Sequence, residues 1–311
     1  MRKALIVGID NYTSAPLKTC VNEAKTLSEL LKINEDGSPN FCIELMVDPP
    51  KKITKATLKK NIIKLFDGDC DVALLYFSGH GLINSFGGFL VTPDYKKYDE
   101  GISMNDILTY ANKSDVKNKI IILDCCHSGA FGVINSLSEN VAVINEGVTI
   151  LTASASSETA LEGVFTTLLI DSLRGGAADL RGEITPGSVY AYIDQALGPW
   201  SQRPIFKTNV SKFISLRTTE PQVSSSTLRK LTSYFQKSKD EHKLDPSYEH
   251  EHVSVDKVKS LIFKDLQQLE GVGLVVPVDE EHMYYAAINS KACRLTALGR
   301  HYWRLVSEGK I

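Results

Sequence analysis

Short apolar runs recur along the first two thirds of the chain. The first, residues 3–10 (KALIVGID), is rich in β-branched side chains and too short for a helix, so it predicts a buried strand. Similar runs follow at 43–47, 72–78, 119–124 and 148–153. The runs therefore predict a set of buried strands.

Stretches with helical spacing lie between these runs. Apolar residues mark one helix around 24–31 and a second around 58–65, which Thr54 is placed to cap. The last elements of this part are predicted at 163–173 (helix), 188–197 (helix) and 203–208 (strand). Strands that alternate with helices predict a mainly parallel α/β sheet.

A polar stretch at residues 218–227 (TTEPQVSSST) divides the chain, and its proline and three consecutive serines are typical of a linker. It separates a first domain, residues 1–217, from a tail, residues 228–311. The tail contains a helix at 255–269, strand-like runs at 271–278 and 283–288, and a last helix at 295–306. Helix, hairpin and helix together predict a small winged-helix-like domain.

The composition is that of a globular protein able to bury a core, with 43% hydrophobic residues, 23% charged residues and a net charge of −2 over 311 residues. Such a balance gives no overall attraction to nucleic acid or to an anionic membrane. No apolar run is long enough to span a bilayer, and no signal peptide is expected. The six cysteines are scattered, without zinc spacing or a dense disulfide pattern. A reducing cytoplasm is the expected location.

Two of the predicted strands end in loops where polar residues stand next to glycines. The run 72–78 leads into Ser78-Gly79-His80-Gly81, and the run 119–124 leads into DCCHSG, which starts at Asp124. In parallel α/β sheets the loops at the carboxyl ends of the strands converge, and functional groups gather there. Glycine lets a substrate approach the backbone closely. Both loops are therefore expected to contact a substrate.

The two loops supply a thiol and an imidazole. A thiolate is a strong nucleophile, and a nearby imidazole can accept the thiol proton and later protonate a leaving amine. His80 is the preferred base for Cys126, since the neighbouring His127 points the opposite way on an extended chain. The amides of Gly81 and Cys126 are placed to stabilise an oxyanion. Taken singly, Cys125 and Cys126 would more often be small buried hydrophobic residues, and His80 would more often be a hydrogen-bonded loop residue.

The pair of loops resembles a known family. YFSGHG, followed about 45 residues later by DCCHSG, is similar to the caspase-like peptidases of the C14 type, and specifically to their metacaspase and bacterial orthocaspase branch. The resemblance runs over roughly the first 215 residues, through GIDNY, LKTCVNEA, TASASSETA, GVFT and QRPIF. It implies a mainly parallel six-stranded sheet flanked by helices, with His80 as base, Cys126 as nucleophile and Cys125 at a variable position.

The resemblance also implies which residues line the substrate pocket. They are Cys20, Glu23, Ser78 and Asp124, with Glu23 standing where the family has aspartate. An acidic pocket selects Arg or Lys as the residue before the cleaved bond, P1, and the choice between the two stays open. Taken singly, Asp124 is explained as a turn cap and Glu23 as part of a solvated helix face.

Residues 128–173 contain no Lys or Arg, so an enzyme of this specificity cannot cut itself between the two halves of the domain. Activity as an uncut chain is expected, with Arg174 and Arg181 as possible nicking sites. Some metacaspases need calcium, and Asp94, Asp99 and Glu100 form a small acidic group. This group lacks the spacing of a calcium loop, so no cofactor or metal is expected.

The sequence is compatible with three functions. The first is a cysteine endopeptidase that cuts protein substrates, is regulated through its tail or a protein partner, and acts in a prokaryotic stress or antiviral programme by family resemblance. The second is a catalytically idle scaffold. The third, a DNA-binding regulator, is disfavoured because the predicted turn of the tail carries acids at 279–281. The intact Cys and His favour the enzyme, with no membrane contact.

Overall fold

A computed structural model describes residues 1–125, 143–153, 163–198 and 203–311. The chain divides into two compact units. The first unit comprises Met1–Ala178 and Glu183–Glu220, and the second comprises Asp179–Gly182 and Pro221–Ile311. None of the helices in the described ranges is long and apolar enough to cross a lipid bilayer.

The first unit combines strands and helices in alternation. Its strands are β1 (Arg2–Ile9), β2 (Cys42–Asp48), β3 (Val72–Ser78), β4 (Gly81–Asn84), β5 (Gly87–Leu90), β6 (Ile102–Ser103), β7 (Asn118–Asp124), β8 (Val148–Thr152), β9 (Glu183–Ile184), β10 (Ile205–Asn209) and β11 (Arg217–Thr218). Its helices are α1 (Cys20–Lys32), α2 (Lys55–Phe66), α3 (Met104–Lys113), α4 (Val164–Asp171) and α5 (Pro186–Leu197), with a π-helical turn at Ser172–Gly176. The strands and helices predicted for this part are confirmed within a few residues.

Six strands form the central sheet in the order β10-β8-β7-β3-β1-β2. All neighbours pair in parallel except β10, which is antiparallel to β8. The predicted mainly parallel six-stranded sheet flanked by helices is thus confirmed. The register sets Gly8 opposite Ser78, and Ser78 opposite Asp124. The carboxyl ends of β1, β3 and β7 therefore meet in one row.

Helices cover both faces of this sheet. Along β1, Leu5, Val7 and Ile9 face a core shared with α2 and α3. The alternate residues Ala4 and Ile6 face a second core shared with α1, α4 and α5. Because successive strand residues point to opposite faces, a strand buried on both sides is apolar along its whole length. This explains the continuous apolar runs.

Two local contacts secure the helices of the first unit. The predicted cap at Thr54 is confirmed, since its hydroxyl accepts from the backbone N–H of Thr57 at the start of α2. At the other end of the unit, Arg217 is buried and donates to the carbonyls of Leu30, Ile33 and Leu173, and its guanidinium pairs with Glu35 at 2.6 Å. Arg217 thus satisfies carbonyls at the end of α1 that the helix leaves without donors.

The predicted linker, residues 218–227, is ordered at both ends. Thr218 lies in β11, which pairs with β9, and the hydroxyl of Ser224 caps α6 by accepting from the backbone N–H of Thr227. Of the predicted linker, residues 219–223 are therefore the part that lies between β11 and the cap of α6.

The second unit packs helices on a small sheet. Its elements are α6 (Ser225–Arg229), α7 (Leu231–Tyr234), β12 (Glu241–Lys243), a 3-10 turn (Pro246–Tyr248), α8 (Lys257–Gly271), β13 (Val275–Val278), α9 (Met283–Ile288), β14 (Ala292–Leu295) and α10 (Ala297–Ser307). The sheet is antiparallel in the order β12-β14-β13. The core includes Phe235, Phe263 and Leu266.

One element of this unit was predicted wrongly. Residues 283–288 (MYYAAI) were expected as a strand, but they form α9. Met283, Ala286 and Ala287 are buried, whereas the two tyrosines between them are about half exposed. Burial at positions one, four and five is the spacing of a helix, and a short apolar run cannot be assigned from its length alone. The strand that pairs with β13 is β14.

Candidate active site

His80 lies between the end of β3 and the start of β4, above the carboxyl edge of the sheet. Its ring packs against Tyr12 with 4.5 Å between ring centroids, and its backbone N–H donates to the Tyr12 hydroxyl at 3.0 Å. That hydroxyl donates onward to the carbonyl of Val91 at 3.1 Å. A Cβ on Gly79 would lie 2.5 Å from the same hydroxyl. A glycine before His80 is thus what allows Tyr12 to hold this turn.

The second contact of His80 defines its tautomer. Nε2 lies 2.6 Å from the carbonyl oxygen of Ala15. A carbonyl oxygen only accepts hydrogen bonds, so Nε2 carries the proton and Nδ1 of the neutral ring holds the free lone pair. A base held in one tautomer by an orienting acceptor is the arrangement that nucleophilic catalysis requires.

The two predicted loops begin next to each other, at the ends of β3 and β7. β3 and β7 are neighbours, and the backbone N–H of Gly79 donates to the carbonyl of Asp124 at 3.3 Å, which joins the histidine loop to the cysteine loop. Gly81, one predicted oxyanion donor, is half-buried at the first position of β4. Cys126, the predicted nucleophile and second oxyanion donor, lies outside the described residues. Its roles stay predictions.

Cys125 and Cys20 are poor nucleophiles in this structure. Cys125 is buried, in the core that the sheet shares with α2 and α3. Burial raises the pKa of the Cys20 thiol, a hydrogen bond with Ser78 lowers it in part, and the negative charges of Glu23, Asp10 and Asp124 raise it. Because only the thiolate attacks, a thiol held protonated is inert.

The four predicted pocket residues meet under the histidine loop. Cys20, Glu23, Ser78 and Asp124 are all buried, and each of the two acids is only 7% exposed. The hydroxyl of Ser78 donates to Glu23 Oε2 at 3.0 Å. The structure therefore brings together side chains that lie about 100 residues apart in sequence.

A hydroxyl chain supports Asp124 from below. The Thr166 hydroxyl donates to Asp124 Oδ2 at 2.6 Å, and it lies 2.6 Å from the hydroxyl of Tyr76. Since Thr166 has one hydroxyl proton and gives it to Asp124, Tyr76 is the donor in the second bond. Burial raises the pKa of Tyr76, and the charges of Asp124 and Glu23 add to the effect. Both phenol and thiol thus sense a negative potential in this pocket.

The start of α1 carries Cys20 and Glu23 to the pocket. The carboxylate of Asp10 accepts from the backbone N–H groups of Cys20 at 2.9 Å and Val21 at 3.3 Å, and so takes the place of a cap residue. A Cβ on Gly8 would lie 2.3 Å from the Cys20 carbonyl oxygen. A glycine at this point of β1 lets the helix approach the sheet closely enough for Glu23 to reach Ser78.

Two residues of the acidic group at 94–100, Asp94 and Asp99, contact the start of α2. Asp94 accepts from the backbone N–H of Lys55 at 3.0 Å and from the Thr92 hydroxyl at 2.7 Å, and Asp99 pairs with the Lys55 ammonium. These acids hold the start of α2. Within the described ranges, no group of three or more His, Cys, Asp or Glu side chains is arranged to hold a metal ion.

Several residues of this site were not predicted from the sequence. Tyr12, Ala15, Tyr76 and Thr166 were not proposed, although Tyr12 ends the motif GIDNY and Thr166 lies in GVFT. The role of Ala15 depends on its backbone carbonyl, which every residue has, so the residue type gives no signal for it. The hydroxyl of Thr166 acquires its role only because α4 packs across the end of β7.

Fold and site together define a mainly parallel α/β domain in which a histidine, His80, follows the strand β3 and a cysteine, Cys125, follows its neighbour β7. Residues 1–233 match the family model described as the caspase domain of peptidase C14. The chain therefore belongs to the caspase-domain family, and this membership supports a cysteine peptidase acting on proteins.

Among solved structures, the chain is similar to the crystal structure of caspase-1 from Spodoptera frugiperda. The TM-score is 0.51 and the sequence identity 14%, covering 70% of this chain and 90% of that chain. At this identity the likeness shows the fold. A search of curated proteins found no match.

Proposed function

We propose that the chain is a cysteine endopeptidase in which His80 is the base and Cys126 the nucleophile. The observation that carries the proposal is the contact of His80 Nε2 with the Ala15 carbonyl, which leaves Nδ1 ready to accept a proton. The junction of the two strand-end loops through Gly79 and Asp124 supports it, since it brings the loop before Cys126 next to His80.

The reaction follows from these roles. Nδ1 of His80 takes the thiol proton, and the sulfur of Cys126 attacks the carbonyl carbon while the amides of Gly81 and Cys126 stabilise the oxyanion. The carbon–nitrogen bond then breaks, and His80 gives its proton to the leaving amine. Water attacks the thioester and yields one proton to His80. The carbon–sulfur bond breaks, releasing the acid, and the thiol regains its proton.

The proposed specificity is for Arg or Lys at P1, as in the metacaspase branch. Glu23 and Asp124 are both buried, and their charges add to the effect of burial in raising the pKa of the Cys20 thiol. A buried acidic compartment favours a cationic side chain and excludes an acidic one. Among relatives that cut after aspartate, by contrast, arginines are expected at these positions.

Hydrolysis of a fluorogenic peptide with Arg or Lys at P1 tests the activity. We expect Cys126→Ala to abolish it and His80→Ala to lower kcat by about 10²- to 10⁴-fold. If no basic peptide is cut, with calcium, with a chelator or with a candidate partner present, the chain is instead a scaffold.

A charge substitution tests the pocket separately. Glu23→Gln removes a charge-assisted contact and should lower kcat/KM for a P1 Arg peptide by about 10- to 100-fold. Glu29→Gln is the matched control, since Glu29 is exposed on the same helix. Equal kcat/KM in the two variants would remove Glu23 from the specificity pocket.

We also propose that the enzyme acts uncut and without a metal cofactor. Arg174 in the π-helical turn and Arg181 are both exposed, so they are the nearest sites for self-cleavage after a basic residue. Incubation of the wild type should give no pair of fragments joined between residues 128 and 173. A pair that forms there, but not in Cys126→Ala, would contradict the proposal.

The second unit is proposed to be a winged-helix-like module that binds a protein. The sheet order β12-β14-β13, with α8 before β13, supports this topology, and α9 stands where the wing would be. Acids at 279–281 disfavour DNA at that position. The full chain should leave duplex DNA unshifted at 100 mM salt in a gel assay, and tight binding would restore the DNA-binding alternative.

A further inference from the structure

A pocket of about 280 Å³ opens directly beside His80, on the side of the β4–β5 hairpin. Its walls include Ala15, Leu82, Val91, Pro93 and Tyr95, with the His80 ring as one side. None of the four acid-pocket residues lines it. His80 therefore borders a compartment that is separate from the proposed P1 site.

The chemistry of cleavage indicates which part of a substrate enters this pocket. A base that protonates the leaving amine must stand next to that nitrogen. The side chain that follows the amine belongs to P1′, the residue after the cleaved bond. We propose that this compartment, which we call the hairpin pocket, binds the P1′ side chain and selects an aliphatic or aromatic one; this inference rests on the proposed peptidase function.

The lining explains why a charged residue is disfavoured. Apart from His80, the described lining residues carry no ionisable group except the phenols of Tyr12 and Tyr95. The Tyr12 hydroxyl is already used by His80 and Val91, and the Thr92 hydroxyl donates to Asp94, while Thr13 and Ser14 add neutral hydroxyls from exposed positions. A charged P1′ side chain would lose hydration here without gaining a counter-charge. A leucine or phenylalanine would bury apolar surface against Leu82, Val91 and Pro93.

Substrates that differ only after the cleaved bond test the proposal. The set consists of internally quenched peptides with one common sequence up to a P1 Arg, and Leu, Phe, Gly, Asp or Lys at P1′. An aminocoumarin amide with the same P1 Arg has no P1′ residue. We expect kcat/KM for P1′ Leu and Phe to exceed that for P1′ Asp by at least about tenfold.

The experiment distinguishes failure of the proposed peptidase function from failure of the hairpin pocket. If neither the peptides nor the aminocoumarin amide is hydrolysed, the proposed peptidase function falls and the hairpin pocket falls with it. If the amide is hydrolysed but the peptides are cut at equal rates, or P1′ Asp is preferred, only the hairpin pocket is refuted.

A charge placed in the pocket should change the preference. Leu82→Glu is expected to raise the ratio of P1′ Lys to P1′ Leu cleavage about tenfold. Ile83→Glu is the control, because Ile83 is exposed on the same strand and does not line the pocket, and it should leave the ratio and the rate within about twofold.

A smaller substitution covers the case in which Leu82→Glu does not fold. Leu82→Ala should lower the ratio of P1′ Leu to P1′ Gly cleavage several-fold by removing apolar contact. An unchanged ratio in a folded Leu82 variant would overturn the assignment.

Discussion

Replacing Thr166 by valine tests the hydroxyl chain beneath Asp124. Valine keeps the shape of threonine but has no hydroxyl, so Asp124 loses a donor at 2.6 Å and the Tyr76 hydroxyl loses its acceptor. All three groups are buried, and water cannot readily replace the lost partners. Thr166→Ser is the control that keeps the hydroxyl.

The expected magnitude follows from these two losses. A hydrogen bond to a carboxylate contributes about 1.5–3 kcal/mol, and a buried donor left without a partner costs about 1–3 kcal/mol. The losses share one hydroxyl and do not simply add, so the free energy of unfolding should fall by about 3 kcal/mol in Thr166→Val. Thr166→Ser removes one methyl and should cost about 1 kcal/mol. Tyr76→Phe leaves the Thr166–Asp124 bond intact and should cost less than Thr166→Val.

Urea unfolding followed by circular dichroism measures the stability effect. Peptide kinetics measure the functional one: if Asp124 binds a P1 cation, a displaced carboxylate should raise KM for a P1 Arg peptide by about tenfold, with a smaller change in kcat. A purely structural role for Thr166 would leave KM unchanged. Thr166→Val with the stability and KM of Thr166→Ser would refute the reasoning altogether.

Three further predictions concern the framework. Gly8→Ala should unfold the protein or displace α1, because the added Cβ would lie 2.3 Å from the Cys20 carbonyl oxygen. Gly271→Ala is the control, since its Cβ would have no neighbour within 4 Å, and in thermal melts it should be neutral or stabilise by about 0.5–1 kcal/mol. Arg217→Met should lower the free energy of unfolding in urea by at least about 2 kcal/mol, because several backbone carbonyls lose their donor. Glu35→Gln should lower it by less than about 1 kcal/mol, since Glu35 is half exposed. Equal losses in the two variants would contradict this prediction. The raised pKa of Cys20 favours the protonated thiol in the folded state, so this thiol contributes fully to stability below its ordinary pKa of 9.0 and less above it. The stability of the wild type relative to Cys20→Ala should therefore drop by up to about 1.4 kcal/mol for each pH unit above 9. A difference that stays constant with pH would contradict this prediction.

Much of the first unit could be predicted from its sequence because its central strands, β1, β3, β7 and β8, are buried on both faces. Runs such as 72–78 have to be apolar throughout, and this signal does not depend on the partner strand. The meeting of Ser78 and Asp124 followed from the rule that parallel strands end at one edge. The contact of Ser78 with Glu23 depends on Gly8, whose lack of a side chain lets α1 approach the sheet.

Other features could not be predicted from residue identity. The turn around His80 is held by the hydroxyl of Tyr12 and the carbonyl of Ala15, which are about 65 residues away. In the second unit, α9 is six residues long, so its pattern supports a strand and a helix equally, and packing against β13 and β14 decides between them. The role of the second unit had no motif from which to be predicted.

The segment from Gly8 to Glu23 has a consequence for how this enzyme can change. Within 16 residues it supplies the phenol and carbonyl that orient His80, and then the acid that contacts Ser78. Exchange of the segment between relatives would therefore alter the surroundings of the proposed base and of the proposed P1 pocket together. New specificities are expected to arise more readily through the hydrogen-bonded side chains of Asp124 and Thr166 than through residues 8–23, because the ring of His80 contacts Tyr12 and Ala15 of that segment.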